Sequence, residues 1–248
     1  MNRWKLTIEY DGTGFCGWQR QLGDLTVQQT LEEAIEKFSG EIVRLHCAGR
    51  TDAGVHARAQ VGHFDLARGT EGYIIRDALN FYVRPHKIAV IDAELVDETF
   101  HARFAALSRS YRYRIINRRA PLTFDADYAW HVPKVLDVSA MQTAADMLIG
   151  KHDFSTFRAQ NCQSNSPIRN LDKIFFTQEG EEITLHTEAR SFLYHQVRNM
   201  IGTLSLVGTG RWTIGDFKDA FTACDRAKGG PTAPPHGLCF WGVSYPQK

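Results

Sequence analysis

The 248-residue sequence lacks a long apolar run, an excess of charge of one sign and any closely paired cysteines. Polar residues interrupt the apolar stretches every few positions, which excludes a membrane-spanning helix. The N-terminus alternates like a β-strand and lacks the apolar core of a secretion signal. The cysteines are odd in number and form no C-x-x-C pair, which disfavours a disulfide framework or a zinc ribbon: Cys16, Cys47, Cys162, Cys224 and Cys239. These absences predict a cytoplasmic protein with reduced thiols and no membrane partner.

The composition is that of an ordinary globular protein, with 43% hydrophobic and 23% charged residues, enough for one large domain or two small ones. A net charge of +1 gives no overall signature of nucleic-acid binding. The local distribution differs, because residues 103–119 carry six arginines and no acid, with Tyr111 and Tyr113 interleaved. Arginine forks suit phosphate oxygens and tyrosine rings suit base faces. This segment is therefore either an RNA contact or a basic edge strand that resists aggregation.

The hydrophobic pattern predicts the order β-α-β-β-α-β twice along the chain. In the first half, Thr26 opens a helix with Gln29 as its capping-box partner, and Gly40 ends it. The other elements of this half are strands at 1–10, 41–46, 59–65 and 87–95 and a helix at 73–82. The second half has strands at 110–116, 171–178, 181–188 and 238–245, helices at 138–149 and from about Ser191, and a shorter helix opened by Thr213.

This order predicts an α+β protein made of two ferredoxin-like, RRM-like halves with antiparallel sheets, joined around a central active-site cleft. The expected domains are residues 1–105 and 106–248. Three long irregular stretches, 47–58, 150–170 and 223–237, are candidates for functional loops.

Gly12, Gly14 and Gly17 follow the first strand with the spacing G-x-G-x-x-G of a dinucleotide-binding turn. That turn requires a helix directly after the third glycine, because the pyrophosphate lies on the helix N-terminus. Here the helix starts only near Thr26, and the next strand ends without the acid that would bind a ribose. We therefore expect no cofactor, and we expect the glycines to permit a tight turn close to another backbone segment.

The segment AGRTDAGVHARAQ, residues 48–60, concentrates groups suited to catalysis. Asp52 lies in sequence near Arg50 and Arg58, and a carboxylate beside arginines stays ionised and can act as a nucleophile or base without a metal. The alternative is an aspartate that only caps a turn. No metal site is expected, because the spacing of the neighbouring ligand types matches no usual zinc pattern: His46, Cys47, His56 and His63.

GRTDAGVHA, preceded upstream by YDGTGFCGWQ, closely resembles the TruA family of tRNA pseudouridine synthases. The signature G-R-T-D-x-G-V-H is highly specific. Further segments follow in the order that this family shows: 100–115, 153–158, 162–169, 191–204 and 234–240. The resemblance implies a cytoplasmic homodimeric isomerase without a cofactor. Such an enzyme converts uridine to pseudouridine at positions 38, 39 and 40 of the tRNA anticodon stem-loop.

The resemblance also implies roles for individual residues. Asp52 matches the essential aspartate, the nucleophile or base that acts on the target nucleotide. Arg50 matches the arginine that fills the space left by the flipped base. Tyr111 matches the tyrosine whose ring lies against the uracil and whose hydroxyl helps to move the C5 proton. Arg198 matches the arginine that pairs with the aspartate, and Leu238 matches an apolar residue beside the base pocket.

Arg58 and Arg158 are further candidates for substrate binding, and residues 103–119 and 158–169 are candidates for contacts with the RNA backbone. Two alternatives to the isomerase remain at this stage. One is a non-catalytic RNA-binding protein of RRM-like fold, although no segment matches the glycine-aromatic RNP1 pattern. The other is a hydrolase that uses Asp52 with Asp11 or Asp153 at a glycosidic bond.

Overall fold

The computed structural model describes residues 1–246, and contacts between Cα atoms divide the chain into two compact units. Unit 1 comprises Met1–Arg109 together with the segment from Cys239, and unit 2 comprises Ser110–Leu238. The sequence predicted a boundary at residue 105 and one continuous second domain; in the structure the C-terminal strand groups with unit 1 instead. Ten strands and five α-helices occur within the described residues, and most neighbouring strands are antiparallel, which makes the fold a mixed α+β fold.

Unit 1 contains six elements in the order β-α-β-β-α-β, followed by the C-terminal strand. Strand β4 pairs with β1, β1 with β3, and β2 with β3, all antiparallel, whereas β10 adds parallel to β3 with Cys239 opposite His56. The bounds are β1 Asn2–Tyr10, α1 Val27–Ser39, β2 His46–Cys47, β3 His56–Leu66, α2 Gly72–Tyr82, β4 Ile88–Val96 and β10 Leu238–Ser244.

The core of unit 1 follows the two periodicities of the sequence. Alternate residues of β1 are buried, and α1 buries one stripe against them: Trp4, Leu6 and Ile8 of β1 with Val27, Leu31 and Ile35 of α1. Thr26 Oγ1 accepts the Gln29 N–H at 3.4 Å and Gly40 ends α1 with a φ of 77°, as predicted. The Gln29 side chain donates to Glu33 at 2.8 Å instead of reaching back to the cap, so only half of the predicted capping box forms.

The predicted strand at 41–46 is wrong for most of its length, since β2 contains only His46 and Cys47. Side chains of α1 form hydrogen bonds with both backbone groups of Leu45. The Leu45 N–H donates to Glu32 Oε1 at 3.0 Å, and the Leu45 carbonyl accepts from Gln28 Nε2 at 2.9 Å. A residue whose backbone groups are already paired by side chains cannot join a ladder.

Unit 2 has four main strands in the order β5-β9-β8-β7, and a short strand, β6, lies parallel to β5. Strands β6 and β7 were not predicted, because two and four residues are too few to show a period. The bounds are β5 Ser108–Ile116, β6 Trp130–His131, α3 Val138–Asp146, β7 Gly150–Asp153, β8 Ile168–Glu179, β9 Glu182–Ala189, α4 Gln196–Gly208 and α5 Ile214–Thr222.

Two predicted helices of unit 2 are shorter in the structure. Helix α3 ends at Asp146 rather than at 149, and α4 begins at Gln196 rather than near Ser191. His195 has a left-handed φ of 61°, and the Gln196 side chain accepts the Leu193 N–H at 2.8 Å, so residues 193–196 form a turn that precedes the helix. No helix within residues 1–246 is both long and apolar enough to span a bilayer.

Candidate active site

The backbone around Asp52 is fixed by the glycine-rich segment that follows β1. We call residues 48–55 the Asp52 loop. A Cβ at Gly17 would lie 2.7 Å from the Thr51 carbonyl oxygen, and a Cβ at Gly12 would lie 2.2 Å from the Val55 carbonyl oxygen. The Trp18 N–H donates to the Thr51 carbonyl at 3.1 Å. Two of the three glycines therefore let one backbone segment lie directly on another, as the sequence predicted.

Three polar side chains of unit 1 hold the Asp52 loop from other directions. Tyr10 Oη lies 2.7 Å from Thr51 Oγ1, and Gln60 Nε2 donates to the Gly49 carbonyl at 2.6 Å. Arg109, which is 7% exposed, donates through Nε at 3.2 Å and through its terminal nitrogen at 2.8 Å to the Ala48 carbonyl. The loop thus has supports on both sides of Asp52, which is half-buried. A carboxylate held this way keeps its position during a reaction.

Arg50 lies in the same loop and is exposed. Burial raises the pKa of the neighbouring Cys47 thiol to about 12, although the charges of Arg50, Arg103 and Arg109 oppose this rise. The three guanidinium groups are thus close enough to influence one thiol at the start of the loop. Arg58 lies on β3, is also exposed and forms an ion pair with Glu9 at 3.1 Å. Binding of substrate by Arg58 would require this exposed pair to open.

The two carboxylates considered as partners of Asp52 in a hydrolase have other roles. Asp11 lies 2.8 Å from Lys87 Nζ and 3.1 Å from His56 Nδ1. In unit 2, Asp153 accepts the Ser155 N–H at 2.8 Å and starts a short 3-10 helix. These contacts disfavour the hydrolase, because a second catalytic carboxylate must be available to a water or to the leaving oxygen.

The two tyrosines of the Y-R-Y sequence on β5 differ in their surroundings. Tyr113 is fully buried and donates its hydroxyl to the Pro234 carbonyl at 2.8 Å, and burial raises its pKa. Tyr111 is half-buried and meets Phe192 edge to face, with ring centroids 5.2 Å apart. Of the two, Tyr111 is therefore the less buried, and Tyr113 belongs to the core of unit 2.

Arg198 lies in the first turn of α4 and is half-buried, as its place beside the apolar stripe predicted. Its Nε donates to the Ala233 carbonyl at 2.8 Å, and its own carbonyl accepts the Ala233 N–H at 3.1 Å. These two bonds tie the irregular segment before β10 to the start of the helix. Leu238 ends that segment and is 5% exposed.

Arg158 holds a loop of its own unit, donating to the carbonyls of Cys162 at 3.1 Å and Ser164 at 2.5 Å. In the basic segment, Arg114 pairs with Glu182 at 2.8 Å and Arg118 pairs with Glu181 at 3.2 Å. Several arginines predicted as RNA contacts thus have partners within the protein.

Comparison with known proteins gives a family. A family model described as tRNA pseudouridine synthase matches residues 6–105 and 144–246. Three relatives named tRNA pseudouridine synthase A cover nearly all of this chain. The one from Paramagnetospirillum magneticum is 57% identical over 99% of this chain and 96% of its own length. The relative from Methylobacterium sp. strain 4-46 is 54% identical over 100% of this chain and 99% of its own length. The relative from Rhodospirillum rubrum is 53% identical over 99% of this chain and 88% of its own length. The chain belongs to the tRNA pseudouridine synthase family.

A solved chain from a Cbf5–Nop10–Gar1 complex superposes with a TM-score of only 0.37 at 11% identity, covering 82% of this chain and 45% of that one. The two ranges that match the tRNA pseudouridine synthase model contain most of the candidate site. Tyr111 lies between the two matched ranges. The matched candidates are Arg50, Asp52, Arg58, Arg158, Arg198 and Leu238.

A cluster of rings next to the Asp52 loop was not predicted from the sequence. The rings of His46, His63 and His101 contact one another, with centroids 4.6 to 5.6 Å apart, and the Phe104 ring is 4.4 Å from His101. Within residues 1–246, no group of three or more histidines, cysteines or acids is arranged to bind a metal. The segment FHARF at 100–104, which brings two aromatic rings and a histidine together within five residues, is the signal in the sequence that points to this cluster.

Proposed function

We propose that this chain isomerises uridine to pseudouridine at positions 38, 39 and 40 of the tRNA anticodon stem-loop, with Asp52 as the nucleophile or base. Membership of the tRNA pseudouridine synthase family supports the reaction and the RNA substrate. The observation that carries the role of Asp52 is the support of its loop by Tyr10, Gln60 and Arg109, which keeps a half-buried carboxylate in one place.

The reaction breaks the bond between N1 and C1′ of uridine, rotates the uracil and joins C5 to C1′. The hydrogen on C5 is lost as a proton and N1 gains one, so atoms and charge balance without an oxidant, a reductant or a phosphate donor. The carboxylate of Asp52 either attacks C1′ or C6, or removes the C2′ proton; each of these roles needs an ionised, well-positioned oxygen.

Access to the base requires the nucleotide to leave its stack, at a cost of a few kcal/mol. In this proposal the Arg50 guanidinium fills the vacated space, and the Tyr111 ring lies against the extruded uracil. The Tyr111 hydroxyl helps to transfer the C5 proton. Arg198 pairs with Asp52 during the reaction, and Leu238 forms part of an apolar wall beside the base.

The assignment regards each unit as ferredoxin-like, and it adds a homodimer in the cytoplasm in which the second subunit helps to hold the tRNA. The order and antiparallel pairing of β4, β1, β3 and β2 support the ferredoxin-like description of unit 1. Arg58 and Arg158 are assigned to the RNA backbone. Their present partners, Glu9 for Arg58 and two loop carbonyls for Arg158, would be exchanged for phosphate oxygens.

The test uses tRNA labelled with tritium at C5 of uridine. Wild-type protein should release tritium to water and leave a nucleoside of unchanged mass, and Asp52→Asn should release none while still binding the tRNA. Asp153→Asn is the matched control and should keep its activity, because that carboxylate only caps a turn. Release of free uracil would identify a hydrolase, and an active Asp52→Asn variant would remove the assigned nucleophile.

Substrate position is tested separately with transcripts in which cytidine replaces uridine at 38, 39 and 40. Tritium release should fall to the background when all three are replaced. Undiminished release from that transcript would show that the enzyme acts elsewhere on the tRNA.

A further inference from the structure

An exposed aromatic ring lies at the edge of unit 1, in the segment that follows β4. The Phe104 side chain is 70% exposed, yet it is not isolated, because its ring packs on His101, which in turn contacts His63 and His46. We call these four residues the ring cluster. A large aromatic side chain left in solvent beside such a cluster has a flat face available for another ring.

The backbone that carries the ring cluster is fixed by hydrogen bonds to imidazole nitrogens. His63 Nδ1 accepts the Ala102 N–H at 3.2 Å, and His101 Nδ1 accepts the Arg103 N–H at 3.1 Å. Arg109 donates to the Arg103 carbonyl as well as to Ala48 in the Asp52 loop. The segment that carries Phe104 is therefore braced to the Asp52 loop by one buried guanidinium. A ligand that binds there would not have to order the segment first.

A positively charged side chain, that of Arg103, lies beside the Phe104 ring. The Arg103 guanidinium carbon lies 5.6 Å from the centroid of the Phe104 ring, and Arg103 is exposed and has no carboxylate partner within residues 1–246. The charges of Arg50 and Arg103 both favour the ionised form of the Cys47 thiol, so positive charge is present at the Asp52 loop as well as beside Phe104. An exposed aromatic face flanked by guanidinium groups is the arrangement with which proteins bind unpaired bases and the adjacent phosphates.

We propose that Phe104 stacks on an unpaired base of the tRNA substrate, outside the target uridine, while Arg103 binds a neighbouring phosphate. The occupant is RNA rather than an apolar protein surface, because the exposed ring lies between the His101 imidazole and the Arg103 guanidinium, whose positive charge is complementary to phosphate. The inference rests on the proposed function, since it concerns how the same substrate is held. Phe104 is a positioning residue here, with no part in bond breaking.

The experiment measures the Kd of an unmodified tRNA transcript and the single-turnover tritium release rate for variants at position 104. Phe104→Ala should weaken binding roughly 5- to 150-fold, the range for loss of one base–aromatic stack. The release rate at saturating tRNA should stay at the wild-type value. Phe104→Trp should retain the affinity, whereas Phe104→Leu, which keeps the apolar volume but not the π face, should bind like Phe104→Ala.

Phe81→Ala is the matched control, because Phe81 is 65% exposed in the same unit and packs on Tyr82 without an arginine beside it. This variant should bind tRNA as the wild type does. Wild-type affinity in Phe104→Ala or in Phe104→Leu would overturn the proposal. So would a change in sedimentation of Phe104→Ala, which would assign this face to a second copy of the chain. An inactive wild-type protein would instead overturn the proposed function, so the two failures are distinguishable.

Discussion

Two irregular loops of the molecule are held in opposite ways. The Asp52 loop in unit 1 is supported by residues from other elements, among them Tyr10, Gly17, Gln60 and Arg109. The loop at 158–167 in unit 2, which we call the arginine loop, makes most of its bonds within itself and to the residues that end it. Tyr194 adds two bonds from outside, accepting the Ala159 N–H at 3.1 Å and donating its own N–H to Cys162 Sγ at 3.5 Å. Its bonds include Arg158 to the carbonyls of Cys162 and Ser164, and Arg169 of β8 to the Ser166 carbonyl and Ser164 Oγ.

The difference teaches what each loop is suited for. A loop fixed by many outside contacts can hold one carboxylate at a constant position, which catalysis requires. A loop held by its own guanidinium groups can exchange their bonds to loop oxygens for bonds to phosphate oxygens, because the guanidinium N–H groups donate to oxygens of either kind. The following predictions break or sharpen this comparison, from the largest expected effect to the smallest.

The largest effect is expected from Gly17→Ala. The new methyl group would lie 2.7 Å from the Thr51 carbonyl oxygen, at a residue whose φ is +91°. Backbone strain and overpacking together should lower the free energy of unfolding by about 2–5 kcal/mol. Tritium release should fall with it, because the Asp52 loop must shift. Urea denaturation and the release assay measure the two effects.

Gly14→Ala is the control for Gly17→Ala. Its φ of +84° gives similar strain, but nothing lies within 4 Å of the added Cβ. This variant should lose about 1–2 kcal/mol of stability and keep its activity. Equal activity losses in the two variants would show that the contact with the Asp52 loop is unimportant.

The next prediction compares the loss of one supporting arginine in each of the two loops. Arg109→Met removes the donor shared by the carbonyls of Ala48 and Arg103, and leaving one such buried acceptor unpaired costs about 1–3 kcal/mol. The position of Asp52 should loosen, so kcat should fall. Arg158→Ala should instead raise KM and leave kcat within about twofold, because it removes a binding group. The measurement is kcat and KM of both variants on one tRNA. A rise in KM alone for Arg109→Met, or a fall in kcat for Arg158→Ala, would contradict the comparison of the two loops.

A pH dependence should appear in unit 1, where His63 Nδ1 accepts the Ala102 N–H in the segment that Arg109 links to the Asp52 loop. Burial, with the charges of His101, His46 and Arg3, lowers the pKa of His63 from 6.5 to about 4. Between these pH values the unfolded chain binds more protons at this residue than the folded chain does. The stability from neutral His63 is therefore complete above pH 6.5 and is lost as the pH falls toward 4.

The measurement is the melting temperature of the wild type and of His63→Gln at pH 7.5, 6 and 5. The glutamine carbonyl can still accept the Ala102 N–H but does not titrate in this range. The wild type should lose more stability than the variant on acidification. Parallel curves for the two proteins would exclude His63 as the titrating group.

The smallest effect concerns the basic segment in unit 2. Arg118 pairs with Glu181 at 3.2 Å and donates to the carbonyls of Ala120 and Pro121, whereas Arg119 is exposed. Arg119→Ala should lower the salt slope of tRNA binding by about one unit, the loss expected for one phosphate contact. Arg118→Ala should change it less. Unchanged slopes in both variants would show that the segment is not a contact with the RNA backbone.

The fold could be predicted where local periodicity and end signals agree. The alternation of β1, the stripe of α1, the glycine that ends it and the start of α5 after Thr213 all occur in the structure as predicted. Prediction was wrong where tertiary contacts decide. Residues 41–45 have the composition of a strand, but the side chains of Glu32 and Gln28 form hydrogen bonds with the backbone of Leu45. The last strand was assigned to the second half, and its pairing with β3 places it in unit 1.

The sequence by itself determined the family, because GRTDAGVHA and the segments around it are specific, and it determined the helices and strands whose patterns are long enough to show a period. Only the tertiary structure decided which arginines carry a protein partner, which tyrosine of Y-R-Y is buried, and that the rings of Phe104, His101, His63 and His46 form one cluster. The physical reason is range. Periods and caps depend on neighbours within a few residues, whereas burial and ion pairs join residues far apart in the chain, whose meeting no local pattern records.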